Sequence, residues 1–279
     1  MGVGLLLLAS GATAGLFGSL LGLGGGVLIV PLLTLGFGFD LRTAVGVSLV
    51  SVIMTSSAAA GVYLERHVAN LRLGMTLELF TATGALVGGL VAFAVDERVL
   101  SLLFAILLAY VAITMARPRR TQAEAPVATP APTGRDVSVA TTGRRDAIAA
   151  DLSGEGYAVR RLGPGIIGAA GAGVVSALLG VGGGIIKVPL MHLVMGVPLR
   201  TATATSNLMI GITAAASAVI YLTRGQIDPY VAGPVVIGVF AGATVGSRFG
   251  HRIDLRILRL LFVVVLAYTS FEMLLRAIG

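Results

Sequence analysis

LLGLGGGVLIVPLLTLGFGFDLRTAVGVS (residues 20–48) returns 158 positions later as LLGVGGGIIKVPLMHLVMGVPLRTATATS (178–206), with 16 of 29 positions identical and no gap. The same offset lays Tyr63-Leu64 on Tyr221-Leu222, Arg66 on Arg224, Gly84-Ala85 on Gly242-Ala243, Asp96 on Asp254, and LLFAILLAY (102–110) on LLFVVVLAY (260–268). A single offset held over so long a stretch marks an internal duplication. The chain therefore divides into a first transmembrane repeat over 1–116, a linker over 117–164 and a second transmembrane repeat over 165–279.

Composition places those repeats in a bilayer. Of 279 residues, 56% are hydrophobic, and the charged set is only 20 Lys+Arg and 13 Asp+Glu. A soluble domain carries about a quarter charged residues. Eight arginines and five acids fall within Arg117–Gly163, so the remainder is more apolar still. Runs of about 20 apolar residues match a hydrocarbon layer about 30 Å thick, which makes this an all-α polytopic membrane protein with the lipid bilayer as its partner.

In a soluble chain a net charge of +7 would suggest nucleic acid, but here the arginines sit at segment ends and in the linker. They read as topology determinants, and no nucleic-acid partner is expected. The absence of cysteine removes disulfides, thiolate metal sites and thiol catalysis together. The start, MGVGLLLLASGATAG, lacks a basic n-region and its apolar run continues to Phe39, so it is expected to be mature structure. In the linker, RPRRTQAEAPVATPAPTG is expected to be disordered, and DAIAADLSGEGYAVRR to hold a helical turn or short strand.

Each repeat reads as one long apolar region interrupted by glycines, followed by three plain spans. These are 3–37, 42–64, 73–95 and 98–116 in the first, and 165–196, 200–222, 230–247 and 256–275 in the second. The interruptions, Gly22-Leu23-Gly24-Gly25-Gly26 and Gly180-Val181-Gly182-Gly183-Gly184, should unwind a helix. Val27–Phe37 would make a helix of about 16 Å, roughly half a bilayer. Two readings follow: a hairpin of two short helices, or one broken helix passing through.

Counting positive charge separates them. With the linker in the cytoplasm, the hairpin puts 15 Lys/Arg inside against four outside, whereas the through-helix gives 12 against seven. The expectation is thus two inverted-topology repeats, each a Gly-broken short-helix hairpin plus three transmembrane helices. Two complete crossings in place of the hairpin would give the same parity.

An unwound glycine segment opening a helix at mid-membrane exposes backbone N–H groups to an anion. The recurrence of the loop with a proline at equal distance, Gly24 to Pro31 and Gly182 to Pro189, favours a substrate site over simple packing. Its expected lining is Gly24, Gly25, Gly26, Gly182, Gly183 and Gly184, with Pro31 and Pro189 as hinges. Lys187, the only lysine, stands just past the second loop where its repeat mate is Ile29. It is read either as an anion ligand or as a partner of Glu78, the sole acid well inside a span, for which an interfacial position is expected because Arg72 is near. His192 is a second candidate proton or ion-pair group. Thr43/Thr201 and Ser48/Ser206, retained in both repeats, and Asn207 supply neutral donors suited to an oxyanion. No HExxH, GxSxG, Walker loop or Cys/His cluster occurs, so no catalytic residue, metal or cofactor is expected.

The twin G-L/V-G-G-G-x4-P motif, the L-R-T-A elements, Ser48 and Ser206-Asn207, and the basic linker resemble the TauE/SafE family of sulfite exporters and related anion permeases. The resemblance spans residues 12–115 and 165–275. It implies transport of a small sulfur-containing or organic anion, of the sulfite, sulfonate or thiosulfate class, across a bacterial inner membrane with the linker cytoplasmic. The repeats depart from each other at Lys187 against Ile29 and Asn207 against Leu49, which implies unequal contributions to binding. With no convincing intramembrane acid pair, uncoupled export by alternating access is the favoured mechanism. The alternatives are proton-coupled uptake through Glu78 or His192, and a non-transporting membrane accessory subunit. A homo-oligomer is compatible with all three.

Overall fold

The computed structural model describes residues 2–21, 25–65, 69–116, 152–154, 157–249 and 255–278. Its first repeat comprises α1 (Gly2–Leu21), α2 (Gly26–Pro31) running on as a π-turn (Leu32–Gly36), α3 (Leu41–Glu65), α4 (Leu71–Ala94) and α5 (Glu97–Ala116). The second comprises α6 (Leu162–Leu179), α7 (Gly184–Pro189) with its π-turn (Leu190–Val194), α8 (Leu199–Thr223), α9 (Pro229–Phe249) and α10 (Leu255–Ile278). Helix α6 begins three residues ahead of the expected repeat boundary at 165. Seven of the described helices are long and apolar enough to cross a membrane. Large apolar side chains such as Met75, Leu79, Leu90, Val264 and Phe271 lie exposed on their outer faces, where lipid replaces water.

Proline explains why both short helices change pitch at the same place. A proline ring lacks an N–H and crowds the carbonyl one turn back, so the chain beyond it re-registers. Met195 N then donates to Leu190 O, five residues away, at 3.2 Å.

The glycine-broken segment is a hairpin. Gly183 lies against Ala172 and Ser176, Gly168 against Leu190, and Gly165 against Met195, so the α7 arm descends α6 in reverse. Helix directions agree. Gly84 and Gly88 of α4 meet Ala170 and Val174 of α6, while Gly74 and Gly89 of α4 meet Thr205 and Ile220 of α8. Helices α6, α4 and α8 therefore run the same way, which requires a return between Leu179 and Leu199. One feature of the expectation is corrected: the first arm is not short. Helices α1 and α6 have 20 and 18 residues and are long enough to span. Glycines within them, such as Gly11, Gly15 and Gly173, let a neighbouring helix backbone approach rather than ending the helix, and only the second arm is short.

The repeats interlock. Helix α1 packs chiefly on α9 and α6 on α4, so each repeat's first helix rests on the other repeat's fourth element. Contacts are reciprocal at the 158-residue offset: Gly84 abuts Ala170 as Gly242 abuts Ala12, and Gly173 abuts Thr81 as Gly15 abuts Val239. Such exchange of equivalent patches is the signature of a two-fold relation. Where mates meet each other they are antiparallel. Between α3 and the α8 end, Thr43 Oγ1 donates to Gln226 Oε1 at 3.2 Å, and farther along α3 Ser56 Oγ donates to Asn207 O near the α8 start. Between α5 and α10, Ser270 Oγ donates to Ala105 O at 2.8 Å, while Ser101 and Met273 line one cavity.

The described end of the linker docks on the bundle, with an isolated bridge between Gly154 and Tyr157, while residues 146–151 of DAIAADLSGEGYAVRR lie outside the described residues. Asn70, which caps α4 by accepting from Leu73 N, donates through its amide to Leu152 O (2.9 Å) and Tyr157 (2.7 Å). Arg160 N donates to Met195 O at 3.0 Å, fixing the end of the second π-turn. The expectation of disorder in 117–134 lies outside the described residues.

A Cβ at Gly84 or Gly242 would run into a backbone carbonyl of the partner helix, so Gly84→Val and Gly242→Val should each destabilise the fold by at least ~1–3 kcal/mol. Size-exclusion profiles in detergent should show loss of the folded peak, while Gly233→Ala, at a position with open space around it, keeps that peak.

Candidate functional site

The two glycine segments meet. Gly25 and Gly183 cap the short helices with φ of 75° and 76°, a left-handed backbone that glycine adopts without a Cβ penalty. Gly25 O accepts from Leu28 N and Ile29 N, and Gly183 O from Ile186 N and Lys187 N, which starts each short helix. A Cβ on Gly26 would come within 2.8 Å of Gly180 O from the other repeat and 3.1 Å of Ser48 Oγ. The Ser48 hydroxyl lies 2.7 Å from Gly180 O and 3.2 Å from Gly26 O, sharing its one proton between the two segments. Gly24, with Gly22 and Leu23, lies outside the described residues.

Beside the second segment is a closed polar ring. Lys187 Nζ donates to Glu78 Oε2 at 3.1 Å and to Thr213 Oγ1 at 2.5 Å, and Thr213 Oγ1 donates to Glu78 Oε1 at 2.6 Å. Lys187 is 1% exposed and Glu78 4%, so the interfacial position expected for Glu78 is corrected. Its proximity to Arg72 in sequence misled, because Leu73, Leu77 and Thr81 on the same helix are also buried and carry Glu78 inward. A buried ion is tolerated when paired and hydrogen-bonded, and each charge here has both. The ring draws Glu78 from the first repeat and Lys187 and Thr213 from the second, and it has no two-fold counterpart, since the mates of these residues are Val236, Ile29 and Thr55.

Other expected site residues are more dispersed. Thr43 stands in the first turn of α3, where its hydroxyl is engaged by Gln226 in the α8–α9 turn. Its mate Thr201 is half-buried in the first turn of α8. Ser206 is buried beside Gly184, a Cβ on which would lie 3.6 Å from Ser206 Oγ. Asn207 is half-buried, and its carbonyl accepts from Ser56. His192 Nδ1 lies 2.9 Å from Val197 O, bracing the segment after the π-turn. Pro31 and Pro189 end the short helices. Thr213 escaped the sequence reading although a signal existed, since Thr55 and Thr213 are repeat mates. Ser176 escaped it too, and its mate, Gly18, gave no signal. Among the described residues no group of three or more His, Cys, Asp and Glu could hold a metal ion.

A multi-pass helical bundle with broken helices meeting at its centre, and a lipid-facing apolar exterior, defines a membrane transporter. Residues 7–273 match the family described as Sulfite exporter TauE/SafE, and the chain belongs to that family. It is similar to the Probable membrane transporter protein YunE of Bacillus subtilis (strain 168), 25% identical over 94% of this chain and 93% of that one. It is likewise similar to the Probable membrane transporter protein MJ0441 of Methanocaldococcus jannaschii, 25% identical over 97% of this chain and 95% of that one. No solved structure gives a significant match.

Removing one member of a buried pair leaves the other uncompensated. Lys187→Met should therefore cost about 3–5 kcal/mol of stability, and Lys187→Met with Glu78→Gln should regain most of it. Thermal unfolding of the four proteins of that cycle measures the coupling, and additive losses would contradict it.

Proposed function

We propose that this chain is an inner-membrane permease for small sulfur-containing or organic anions, exporting by alternating access at a midplane site between two inverted repeats. The observation that carries the reading is the antiparallel meeting of repeat mates, α3 with α8 and α5 with α10, around glycine segments that Ser48 ties together. Mates of a two-fold that meet antiparallel place the axis across the helices, which for spanning helices is the membrane plane. Residues 1–116 and 165–279 then both contribute to the site and the Arg-rich linker is cytoplasmic, in keeping with the positive-inside asymmetry.

Glycine segments with left-handed turns let an anion approach backbone without a side chain in the way, and Lys187 supplies the nearby positive charge. The family's name supports an exported sulfur oxyanion. Outward movement of a monovalent anion through an inside-negative potential gains about 2.3 kcal/mol per 100 mV and needs no coupling ion.

A second reading, proton-coupled uptake, draws on the buried Glu78. An anion that recruited Lys187 would strand a carboxylate in a dry interior, and a proton taken up by Glu78 would relieve that.

Proteoliposomes loaded with sulfite, thiosulfate or sulfoacetate distinguish these readings. Export without coupling predicts flux that follows an imposed potential and leaves the internal pH unchanged. Flux that follows a pH gradient and carries protons would replace it with the second reading. If none of these anions moves, the chain is an accessory subunit.

A further inference from the structure

Serine and threonine hydroxyls in these helices usually satisfy themselves on their own helix. Ser51 donates to Val47 O, Thr81 to Leu77 O, Ser217 to Thr213 O and Thr269 to Val265 O. That bond is available to a helical Ser or Thr in the absence of a better partner. Ser176 on α6 and Ser206 on α8 depart from the pattern: both are 0% exposed, and both hydroxyls lack any hydrogen-bond partner. A buried hydroxyl left unpaired is destabilising, so two of them in one place call for a reason.

They approach the same loop from two different helices, α6 and α8. A Cβ on Gly183 would lie 3.3 Å from Ser176 Cβ and 3.4 Å from Lys187 Cε, and one on Gly184 would lie 3.6 Å from Ser206 Oγ. The Lys187 ammonium has three N–H donors, of which Glu78 and Thr213 take two. Among its described residues the first repeat offers nothing equivalent. Ser48, the mate of Ser206, spends its hydroxyl on Gly26 and Gly180 carbonyls, the mate of Ser176 is Gly18, and the mate of Lys187 is Ile29.

We infer that Ser176 and Ser206 are ligands for the transported anion, donating from α6 and α8 to a small oxyanion with two or more acceptor oxygens held at the second glycine loop. The first glycine loop is then the structural member of the pair, closed by Ser48. This rests on the permease reading and adds to it which half binds. Sulfonate, sulfite and carboxylate groups fit, since each presents several oxygens to converging donors and gains from the positive charge of Lys187.

The test combines stability and affinity. Thermal unfolding of Ser176→Ala, Ser206→Ala and Ser48→Ala is measured in detergent without ligand, and binding of sulfite, thiosulfate and sulfoacetate is titrated on each folded protein. Deleting an unpaired hydroxyl removes a cost, so Ser176→Ala and Ser206→Ala should unfold at or above the wild-type temperature while weakening anion binding by about tenfold or more each. Ser48→Ala, which loses bonds to both loops, should unfold at a lower temperature. Wild-type affinity in both Ser176→Ala and Ser206→Ala, or a lower unfolding temperature in them, would overturn the assignment while leaving the permease reading intact. Failure of the wild type to bind any of the three anions would bring down the permease reading, and the assignment with it.

Discussion

Everything in this fold depends on how closely two helices can approach when one of them presents a glycine, with no side chain, at the crossing. In lipid, apolar burial gives helices little reason to prefer one another over acyl chains, so association comes from close packing and interhelical hydrogen bonds. Gly84 against Ala170 and Gly242 against Ala12 bring backbones together across the repeats, not within them. Neither repeat is therefore a self-contained bundle. The first helix of each one finds its main contact on the fourth element of the other, and the short α2 and α7 arms are left at the centre.

That centre is symmetric in backbone and asymmetric in chemistry. The paired glycine segments, prolines and π-turns repeat residue for residue, whereas Lys187, Glu78, Ser176 and Asn207 have apolar or glycine mates. Duplication supplies two equivalent backbone frames around an axis. Placing a charge pair beside only one loop confines its desolvation to one side, and Thr213 closes the ring so that neither charge is buried alone.

The features legible in the sequence were those written along one dimension. The offset of 158, the glycine breaks and the prolines fix where helices begin, bend and end, and these positions recur in the structure. The Lys187–Glu78 pair was legible as one of two readings, because each is an isolated charge within an apolar span, but its third member, Thr213, and the route by which they meet were not. Glu78 and Lys187 lie 109 positions apart, and only the parallel course of α4 beside α8, with the α7 arm folded back on α6, brings them together. The first hairpin arm was expected to be short, yet the glycines scattered along it serve as crossing points on a helix long enough to span.

The central claim is that the two interlocked repeats are inverted in the membrane. Glu65 and Thr223 are repeat mates at the ends of α3 and α8, and the chain has no native cysteine, so Glu65→Cys and Thr223→Cys each give a single label site. A membrane-impermeant thiol reagent applied to one face should modify one variant and spare the other, with the order reversed from the opposite face. Modification of both from the same face would contradict the inverted pair.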